Sequence, residues 1–442
     1  MGENITEKKT ARPAEGIKAR LQRAQSQMGR SPGSEESGAL SATPVGISSK
    51  AKKLHKALGG EIVTSAAGEY LLIKKHYSTD YTHGRISFET VVTTEYTLSQ
   101  FANATDDVAL SLPELLFFDT ETTGLSGAGA VPFLIGFGCF VGDGFETRQY
   151  IIPDLADEAA MLEDVFAEFN TERTLVSYNG KAFDKPLIED RFIIHRVAKE
   201  APHKEHVDLL HAARALFKRR LGDCSLGNIE EHALGYCRDE DIPGYLVPSV
   251  YLDWLHNDEA GRLADVIAHN RQDIVSLAAL MAVIAESFNN AGSTLSSPLD
   301  AYSLMQVCEK RRKRRMAVKI GKERESEFSR LNNPEIEFRR SLVFKRAGEF
   351  DSAVAIWERL AKSADNRVES RRPAQRARLE LAKWFEHRCK NYEQALILTK
   401  AGLRFTLKRH SPVDDWPKRK RRLQRRLQKR LQRRTITVSQ TK

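Results

Sequence analysis

The sequence lacks the patterns of several protein classes. Its five cysteines are scattered and no C-x-x-C pair occurs, so neither a disulfide framework nor a ribbon-type zinc site is indicated. No G-x-x-x-x-G-K-[ST] loop is present, and Gly127-Ala128-Gly129 fails as a dinucleotide fingerprint because Pro132 stands where the third glycine is needed. The first twenty residues contain no apolar run, so we predict no secretory signal and a cytoplasmic location.

One charge-free stretch, Thr122–Gly142, is long enough to cross a bilayer. It contains six glycines and Pro132, and its apolar part is confined to residues 131–141. These features predict a loop followed by a buried strand, and no membrane partner.

Charge is distributed very unevenly along the chain. Residues 1–110 carry a net charge of +2, residues 111–290 carry −15, and residues 291–442 carry +23. An acidic middle joined to a strongly basic end suggests a polyanionic partner that one part holds and another part acts on.

Composition and periodicity divide the chain into five segments. We predict a disordered tail (1–50), a small strand-rich lead-in (51–110), an α/β domain (111–290), a basic linker or helix (291–335) and a helical region with a basic terminal helix (336–442). In the α/β domain the patterns predict strands at Leu115–Thr120, Phe133–Val141, Thr147–Ile152 (at the sheet's edge) and Thr174–Tyr178, and helices at Ala159–Asn170, Pro186–Val197 and Asp265–Ser287. This alternation indicates a mixed sheet with helices packed against it.

The helical region contains an internal repeat. Lys345–Ala353 aligns with His387–Ala395 at a spacing of 42 residues, and each segment places an aromatic residue three positions before an alanine. Paired helices of this kind resemble tetratricopeptide repeats, which implies a protein partner for this region.

Three polar elements interrupt the apolar pattern of the α/β domain. Asp119 and Glu121 end a strand and share a face, so they repel each other unless something such as a divalent cation neutralises them. Tyr178–Asp184 joins a strand to a helix. His269 and Asp273 are four residues apart on one face of a helix, where a buried carboxylate is costly unless it is paired or bound to metal.

Taken together, these elements resemble the DEDD exonucleases of the ribonuclease-H-like superfamily. More narrowly, residues 116–280 resemble the YprB-type family, with similar elements at His206–Leu210, Ser225-Leu226 and Ile242–Gly244. The resemblance implies an α/β ribonuclease-H-like mixed sheet flanked by helices, followed by an all-α repeat region. It also implies a metal-dependent 3′–5′ exonuclease.

The resemblance further implies specific site residues. Asp119, Glu121, Asp184 and Asp273 would bind two Mg²⁺ or Mn²⁺ ions. The terminal nucleotide would be held by the Thr122, Thr123, Gly124 and Leu125 backbone and by the Leu125 side chain, and the scissile end would be flanked by Asn179 and Phe183. His269 would be the general base, but it departs from the family pattern, which has Tyr four residues or His five residues before the last Asp; here Ala268 occupies the fifth position.

Each of these residues has a structural alternative. Asp119 and Glu121 could end a solvent-exposed strand, Asp184 could stabilise a helix N-terminus, Asp273 could pair with an arginine, and His269 could line the surface. A zinc site among His195, His203, His206 and His211 near Asp208 matches no known spacing, and Asp208 more simply anchors a loop.

Two basic segments, Lys310–Arg315 and Lys418–Arg434, suggest contact with nucleic acid phosphates. The second carries Leu423, Leu427 and Leu431 four residues apart, so it could also pack as a terminal helix or lie on an anionic membrane. We expect DNA or RNA, with single-stranded 3′ ends, as the substrate. The alternative is a catalytically degenerate nucleic-acid-binding or scaffolding protein that acts through its basic helical repeats.

Overall fold

The computed structural model describes residues 47–102, 107–124, 129–197, 205–239, 241–362, 368–406 and 416–439. The predicted tail, residues 1–50, lies almost wholly outside this part of the chain, although Ser49 begins the first helix. The described strands are β1 (Glu61–Ser65), β2 (Gly68–Ser78), β3 (Thr82–His83), β4 (Ile86–Ser87), β5 (Tyr96–Thr97), β6 (Ala109–Leu110), β7 (Leu115–Thr122), β8 (Pro132–Val141), β9 (Gly144–Ile151), β10 (Thr174–Ser177) and β11 (His206–Asp208).

Seven of these strands form one mixed sheet in the order β1–β2–β9–β8–β7–β10–β11. Strands β7, β10 and β11 are parallel, whereas β1, β2, β9, β8 and β7 pair antiparallel. The mixed sheet flanked by helices is the fold class expected from the sequence. The strand-rich lead-in contributes β1 and β2 to this same sheet.

The placement of Thr147–Ile152 at the edge of the sheet was wrong. Strand β9 lies inside the sheet because β2 pairs with it along its whole length, from Leu71 opposite Ile151 to Ser78 opposite Gly144. Strand β8 is buried from Pro132 to Cys139, which explains its uninterrupted apolar sequence. No helix of the described residues is long and apolar enough to cross a membrane.

The described helices of the first part of the chain pack on both faces of the sheet. Alternate residues of β7 enter opposite cores: Leu115 and Phe117 contact one apolar cluster, and Leu116 and Phe118 contact the other. These helices are α1 (Ser49–Leu58), α2 (Phe88–Thr93), α3 (Leu98–Phe101), α4 (Glu158–Phe169), α5 (Asp184–Ile194), α6 (Leu209–Leu221), α7 (Leu226–Ile229), α8 (Val247–Asn257) and α9 (Leu263–Asn289), with a π-helical turn at Glu230–Leu234 and 3₁₀ turns at Leu112–Glu114, Leu155–Asp157 and Gly244–Leu246.

The rest of the described chain is helical. Its helices are α10 (Pro298–Lys310), α11 (Arg314–Glu323), α12 (Glu325–Arg330), α13 (Pro334–Ala347), α14 (Phe350–Lys362), α15 (Val368–His387), α16 (Tyr392–Thr406) and α17 (Trp416–Ser439). Phe350 and Tyr392, the equivalent aromatic residues of the repeat, each begin the second helix of a pair. The resemblance to tetratricopeptide repeats remains a prediction.

The basic helix α17 packs through its first turns. The Trp416 ring lies against Gly402, where an added Cβ would meet the ring at 2.6 Å. Leu423 is fully buried, whereas Leu431 is 63% exposed. The apolar side of α17 is therefore buried near the start of the helix and exposed towards its end.

Candidate active site

The carboxyl end of β7 carries the first two candidate residues. Asp119 and Glu121 are both partly exposed, and Thr120 between them donates a hydrogen bond to Asp184 Oδ1. The pairing of β7 with β8 shifts register at Glu121 and Thr122. Bulges of this kind often redirect side chains beside active sites.

Asn270 on α9 fixes the orientation of Asp119. Its Nδ2 donates to Asp119 Oδ2 (2.9 Å), and its Oδ1 accepts from Gln149 Nε2 (2.9 Å). Asp119, Gly136 and Gln149 are opposite one another on β7, β8 and β9, so Asn270 spans three strands. A Cβ on Gly136 would lie 2.2 Å from Asn270 Oδ1, so only glycine leaves room for this contact.

Asp208 clamps the loop that leads from β10 to α5. Its Oδ1 accepts from the Asn179 amide (2.8 Å) and its Oδ2 from the Lys181 amide (3.3 Å). It also accepts from the Leu210 amide (3.1 Å), which caps α6. Asn179 adopts a left-handed conformation (φ 67°), which asparagine tolerates better than most residues. The predicted loop-anchoring role of Asp208 agrees with these contacts.

Asp184 begins α5 at the end of this loop. Gly180 lies beneath it, and a Cβ there would approach Asp184 Oδ2 to 3.1 Å and Ser177 Cβ to 2.7 Å. The position of Asp184 therefore depends on the Thr120 hydroxyl, the Gly180 backbone and the Asp208 clamp.

Asp273 on α9 is paired with an arginine that the sequence analysis did not single out. Arg238 donates to Asp273 Oδ1, and the same guanidinium forms two 2.7 Å hydrogen bonds to the carboxylate of Glu230. Glu230 is 1% exposed, so this ion pair is part of the core. Asp273 therefore forms the ion pair with arginine that was the structural alternative, but through only one of its two oxygens.

His269 lies between the candidate carboxylates and a further aspartate. Its Nδ1 is 2.7 Å from Asp241 Oδ1, and its Nε2 is 4.0 Å from Glu121 Oε1 and 3.8 Å from Asp273 Oδ2. If Nδ1 carries the hydrogen and donates to Asp241, the Nε2 lone pair faces the carboxylates. This arrangement places a base within one solvent molecule of Glu121 and Asp273.

Electrostatic strain is concentrated at the end of β7. Burial, followed by repulsion from Asp273, Glu121 and Asp184, raises the pKa of Asp119 well above its usual range. Burial and repulsion from Asp273 and Asp184 likewise raise the pKa of Glu121, and burial raises the pKa of Asp184. The four carboxylates therefore lie close enough to repel one another strongly.

The donor set fits a hard divalent cation. It consists of carboxylate oxygens that are short of counter-charge, the chemistry that Mg²⁺ and Mn²⁺ prefer. In the part of the chain that the structure describes, no three His, Cys, Asp or Glu side chains are gathered tightly enough to hold a metal ion as they stand. One oxygen of Asp273, Oδ1, is already bonded to Arg238.

The residues predicted to hold the terminal nucleotide have different environments. Thr123 is buried, and its amide and hydroxyl bond to Val131 (2.9 and 3.0 Å), whereas Thr122 Oγ1 donates to the Gly124 carbonyl. Leu125 lies outside the described residues. Phe183 is 55% exposed and precedes Asp184, so an aromatic face is open to a base at the predicted position.

The histidines considered for zinc have other partners. His195 Nε2 lies 2.9 Å from the buried Glu158, and His206 Nε2 lies 2.7 Å from Ser177 Oγ. His203 lies outside the described residues. Nε2 of His195 and Nε2 of His206 are therefore each within hydrogen-bonding distance of a protein oxygen.

Sequence reasoning missed three residues of the site: Arg238, Asp241 and Asn270. Asn270 offered a signal, because it is a polar residue on the buried side of a helix, next to His269. Arg238 and Asp241 lie in an irregular segment without periodicity, so no pattern of spacing could have placed them beside α9.

Two comparisons with known proteins bear on this geometry. A family model described as the RNase_H superfamily matches residues 116–285. The YprB protein of Bacillus subtilis (strain 168), itself described as uncharacterized, is 32% identical over 341 residues, which cover 76% of this chain and 81% of that protein. The superfamily match supports a nuclease type of hydrolase. These two similarities show that the chain belongs to the YprB family of the RNase H superfamily.

Proposed function

We propose that this protein is a metal-dependent 3′–5′ exonuclease of the DEDD type that hydrolyses phosphodiester bonds of DNA or RNA. The observation that carries this proposal is the group of carboxylates at the end of β7. Asp119, Glu121 and Asp184 have raised pKa values because they are half-buried beside one another and beside Asp273. Such a group is stable in its ionised form only when a cation joins it.

Asp119, Glu121, Asp184 and Asp273 would hold two Mg²⁺ or Mn²⁺ ions. Bound there, the ions would stabilise the negative charge that develops on a phosphodiester during hydrolysis. The protein supplies the positions of the ligands: Asn270 orients Asp119, and Thr120 orients Asp184. Asp273 would exchange its contact with Arg238 for a cation, and Arg238 would keep its bonds to Glu230.

His269 would act as the general base at Nε2. Nδ1 lies 2.7 Å from Asp241 Oδ1 and 3.0 Å from Arg238 Nη1. In the tautomer with the hydrogen on Nδ1, the bond to Asp241 would fix the ring and leave Nε2 available for a proton from the attacking water. The distances from Nε2 to Glu121 and Asp273 support this role for a histidine four residues before Asp273, although the family pattern places histidine one residue earlier.

The basic helical region would attract the strand that the acidic site cannot attract alone. Arg421, Arg425 and Lys429 lie on the exposed face of α17. Phosphate contacts of this kind are independent of sequence and weaken with salt.

The helix pairs would offer a surface for a protein partner. The five cysteines, none of them disulfide-bonded, fit a cytoplasmic location.

The test follows the release of mononucleotides from single-stranded DNA and RNA labelled at the 5′ end. We expect a ladder that shortens from the 3′ end when Mg²⁺ or Mn²⁺ is present, and its loss in Asp119→Asn. Asp143→Asn, in which an exposed carboxylate is removed from the β8–β9 turn, is the matched control and should retain activity.

The alternative is a catalytically degenerate protein that binds nucleic acid or serves as a scaffold. The wild-type protein would then shift both nucleic acids in a gel but leave them intact with either metal. That result would overturn the exonuclease proposal.

A further inference from the structure

A cationic cavity lies beside the candidate active site and is separate from it. It has a volume of about 380 Å³ and is enclosed by β11, α6, α10 and the end of α3. Its polar lining consists of Lys181, His206, Asp208, His211, Lys310 and Arg311. This volume is at the lower end of the range for small-molecule sites, ~300–1,000 Å³, and exceeds what a single ion needs.

The charge of this cavity is poorly balanced. Asp208 is its acidic lining residue, and both of its oxygens already accept backbone N–H groups. Arg311 Nη1 donates to the carbonyls of Ser99 (2.6 Å) and Gln100 (3.0 Å), which are neutral. Among the described residues, no ion pair engages Lys181, Lys310 or Arg311. The cavity therefore has an excess of positive charge.

His206 adds a second and independent observation. It is 7% exposed, its Nε2 is bonded to Ser177 Oγ, and its Nδ1 is buried without a hydrogen-bond partner in the described structure. Burial lowers the pKa of His206 to about 4, so the ring is neutral at physiological pH. In the tautomer in which the Ser177 hydroxyl donates to Nε2, Nδ1 carries the hydrogen and is an unsatisfied donor.

Arg311 shows the same deficiency, because its Nε is also buried without a partner in the described structure. A buried donor without a partner is unfavourable, so two such donors on residues that line one cavity call for an acceptor. An anion with several oxygens would satisfy both donors and balance the lysines.

We propose that this cationic cavity binds the phosphate group of a nucleotide. The choice of a nucleotide among phosphate compounds rests on the proposed function, whereas the phosphate chemistry follows from the cavity itself. Lys181 belongs to the loop that ends at Asp184, and Asp208 at the end of β11 binds this loop, so an occupant would lie one loop away from the predicted scissile end. The phosphate belongs either to the bound strand or to a free mononucleotide.

The test is calorimetric titration of the full-length protein in EDTA, with adenosine 5′-monophosphate and with adenosine as probes. We expect the monophosphate to bind at least tenfold more tightly than adenosine. Lys310→Gln should weaken that binding about tenfold, as expected for the loss of one charged hydrogen bond. Arg315→Gln removes an exposed cation from the same basic segment but outside the cavity, and should change affinity less than twofold.

His206→Phe provides a second variant, which keeps a ring in the buried position but removes the donor. It should lose monophosphate binding while its circular dichroism spectrum remains that of the wild type. Displacement of the monophosphate by a pentanucleotide would assign the cavity to a strand phosphate. Absence of displacement would assign it to a free mononucleotide.

Three results would overturn the inference: no binding of the monophosphate, equal binding of adenosine, or an equal loss in Lys310→Gln and Arg315→Gln. These results are distinguishable from failure of the proposed function because no metal or catalysis is involved. A protein without nuclease activity that still binds the monophosphate through Lys310 would refute the exonuclease proposal alone. If the protein is an active nuclease but does not bind the monophosphate, only the proposal that the cavity binds phosphate is refuted.

Discussion

Glu386 in the helical region and the acidic residues at the end of β7 differ in how many positively charged side chains neutralise them. Glu386, in the helical region, is fully buried and is bonded by Arg419 and by both donors of Arg422 (2.7 and 2.9 Å). Burial alone would raise the pKa of Glu386, but these guanidiniums lower it. At the end of β7, burial and neighbouring acids raise the pKa of Asp119 and Glu121.

The difference separates a structural carboxylate from a candidate functional one. Glu386 on α15 is bonded by two arginines of α17, Arg419 and Arg422, and these bonds connect the two helices. Asp119 and Glu121 have too few: Arg238 pairs with Asp273 and lowers the pKa of Glu121, but burial and the neighbouring acids outweigh it. A carboxylate group that the fold leaves uncompensated is a place for a cation from solution.

The largest expected effect concerns Glu386. Glu386→Ala leaves the inner guanidinium of Arg419 without its partner, and we expect a loss of about 3–5 kcal/mol in the free energy of unfolding of the helical region. Urea denaturation followed by tryptophan fluorescence measures this, because three of the four tryptophans (Trp357, Trp384 and Trp416) lie there. Glu358→Ala, at an exposed position of the same region, should change little. A loss below about 1 kcal/mol would mean that the ion pairs are not a structural tie.

The next effect concerns the residue that orients Asp119. Asn270→Ala removes the bonds to Asp119 and Gln149, and we expect Mn²⁺ affinity to fall about 10–100-fold. Calorimetric titration with Mn²⁺ measures this. Asn289→Ala, which removes a comparable amide from the end of the same helix, is the control and should bind Mn²⁺ as the wild type does. Equal affinity in both variants would separate Asn270 from the metal site.

The pH dependence of stability should have opposite signs in the two settings. The folded-state pKa values of Asp119, Glu121 and Asp184 lie above their unfolded values of about 3.9–4.3, so these groups destabilise the metal-free protein at neutral pH. This penalty disappears as the pH falls through the raised values. The contribution of Glu386 is favourable above about 4.3 and is lost as the pH falls through its lowered value.

Thermal unfolding in EDTA tests that sign. Asp119→Asn should exceed the wild type in stability at pH 8, by an amount on the order of 1 kcal/mol, and the difference should shrink towards pH 5. Mg²⁺ at pH 8 should stabilise the wild type more than the variant. A difference that stays constant with pH would contradict the raised pKa of Asp119.

The smallest effect concerns the exposed face of α17. Arg425→Gln should reduce the slope of log affinity against log salt concentration by about 0.7–0.9 for nucleic acid, without changing stability. Fluorescence anisotropy with a labelled oligonucleotide at several salt concentrations measures this slope. Lys56→Gln, on the exposed side of α1, should leave it unchanged. An unchanged slope in Arg425→Gln would assign α17 to packing alone.

The strands and helices with a regular hydrophobic periodicity could be predicted from the sequence. The predicted strand Leu115–Thr120 and helix Asp265–Ser287 are present as Leu115–Thr122 and Leu263–Asn289. Alternation along β7 placed Asp119 and Glu121 together, and the four-residue spacing did the same for His269 and Asp273.

The pairing of strands that are far apart in the sequence could not be predicted. Nothing local indicates that β2, more than sixty residues away, would pair with β9 and move it inside the sheet. Arg238 is similarly hidden, because its partners Glu230, Asp241 and Asp273 meet only after the segment folds back on α9. The excess of cations around His206 required β11 and α10 to be brought together.

Gly136 has a consequence for how this protein tolerates mutation. It carries no side chain and takes part in no proposed chemistry, yet Asn270 Oδ1 occupies the space where its Cβ would be. In a saturation-mutagenesis selection for the activity of this protein, position 136 should accept glycine alone, whereas the exposed Val141 on the same strand should accept many residues. The constraint at position 136 would look like that of a catalytic residue, although its origin is the room that one amide needs to reach across three strands.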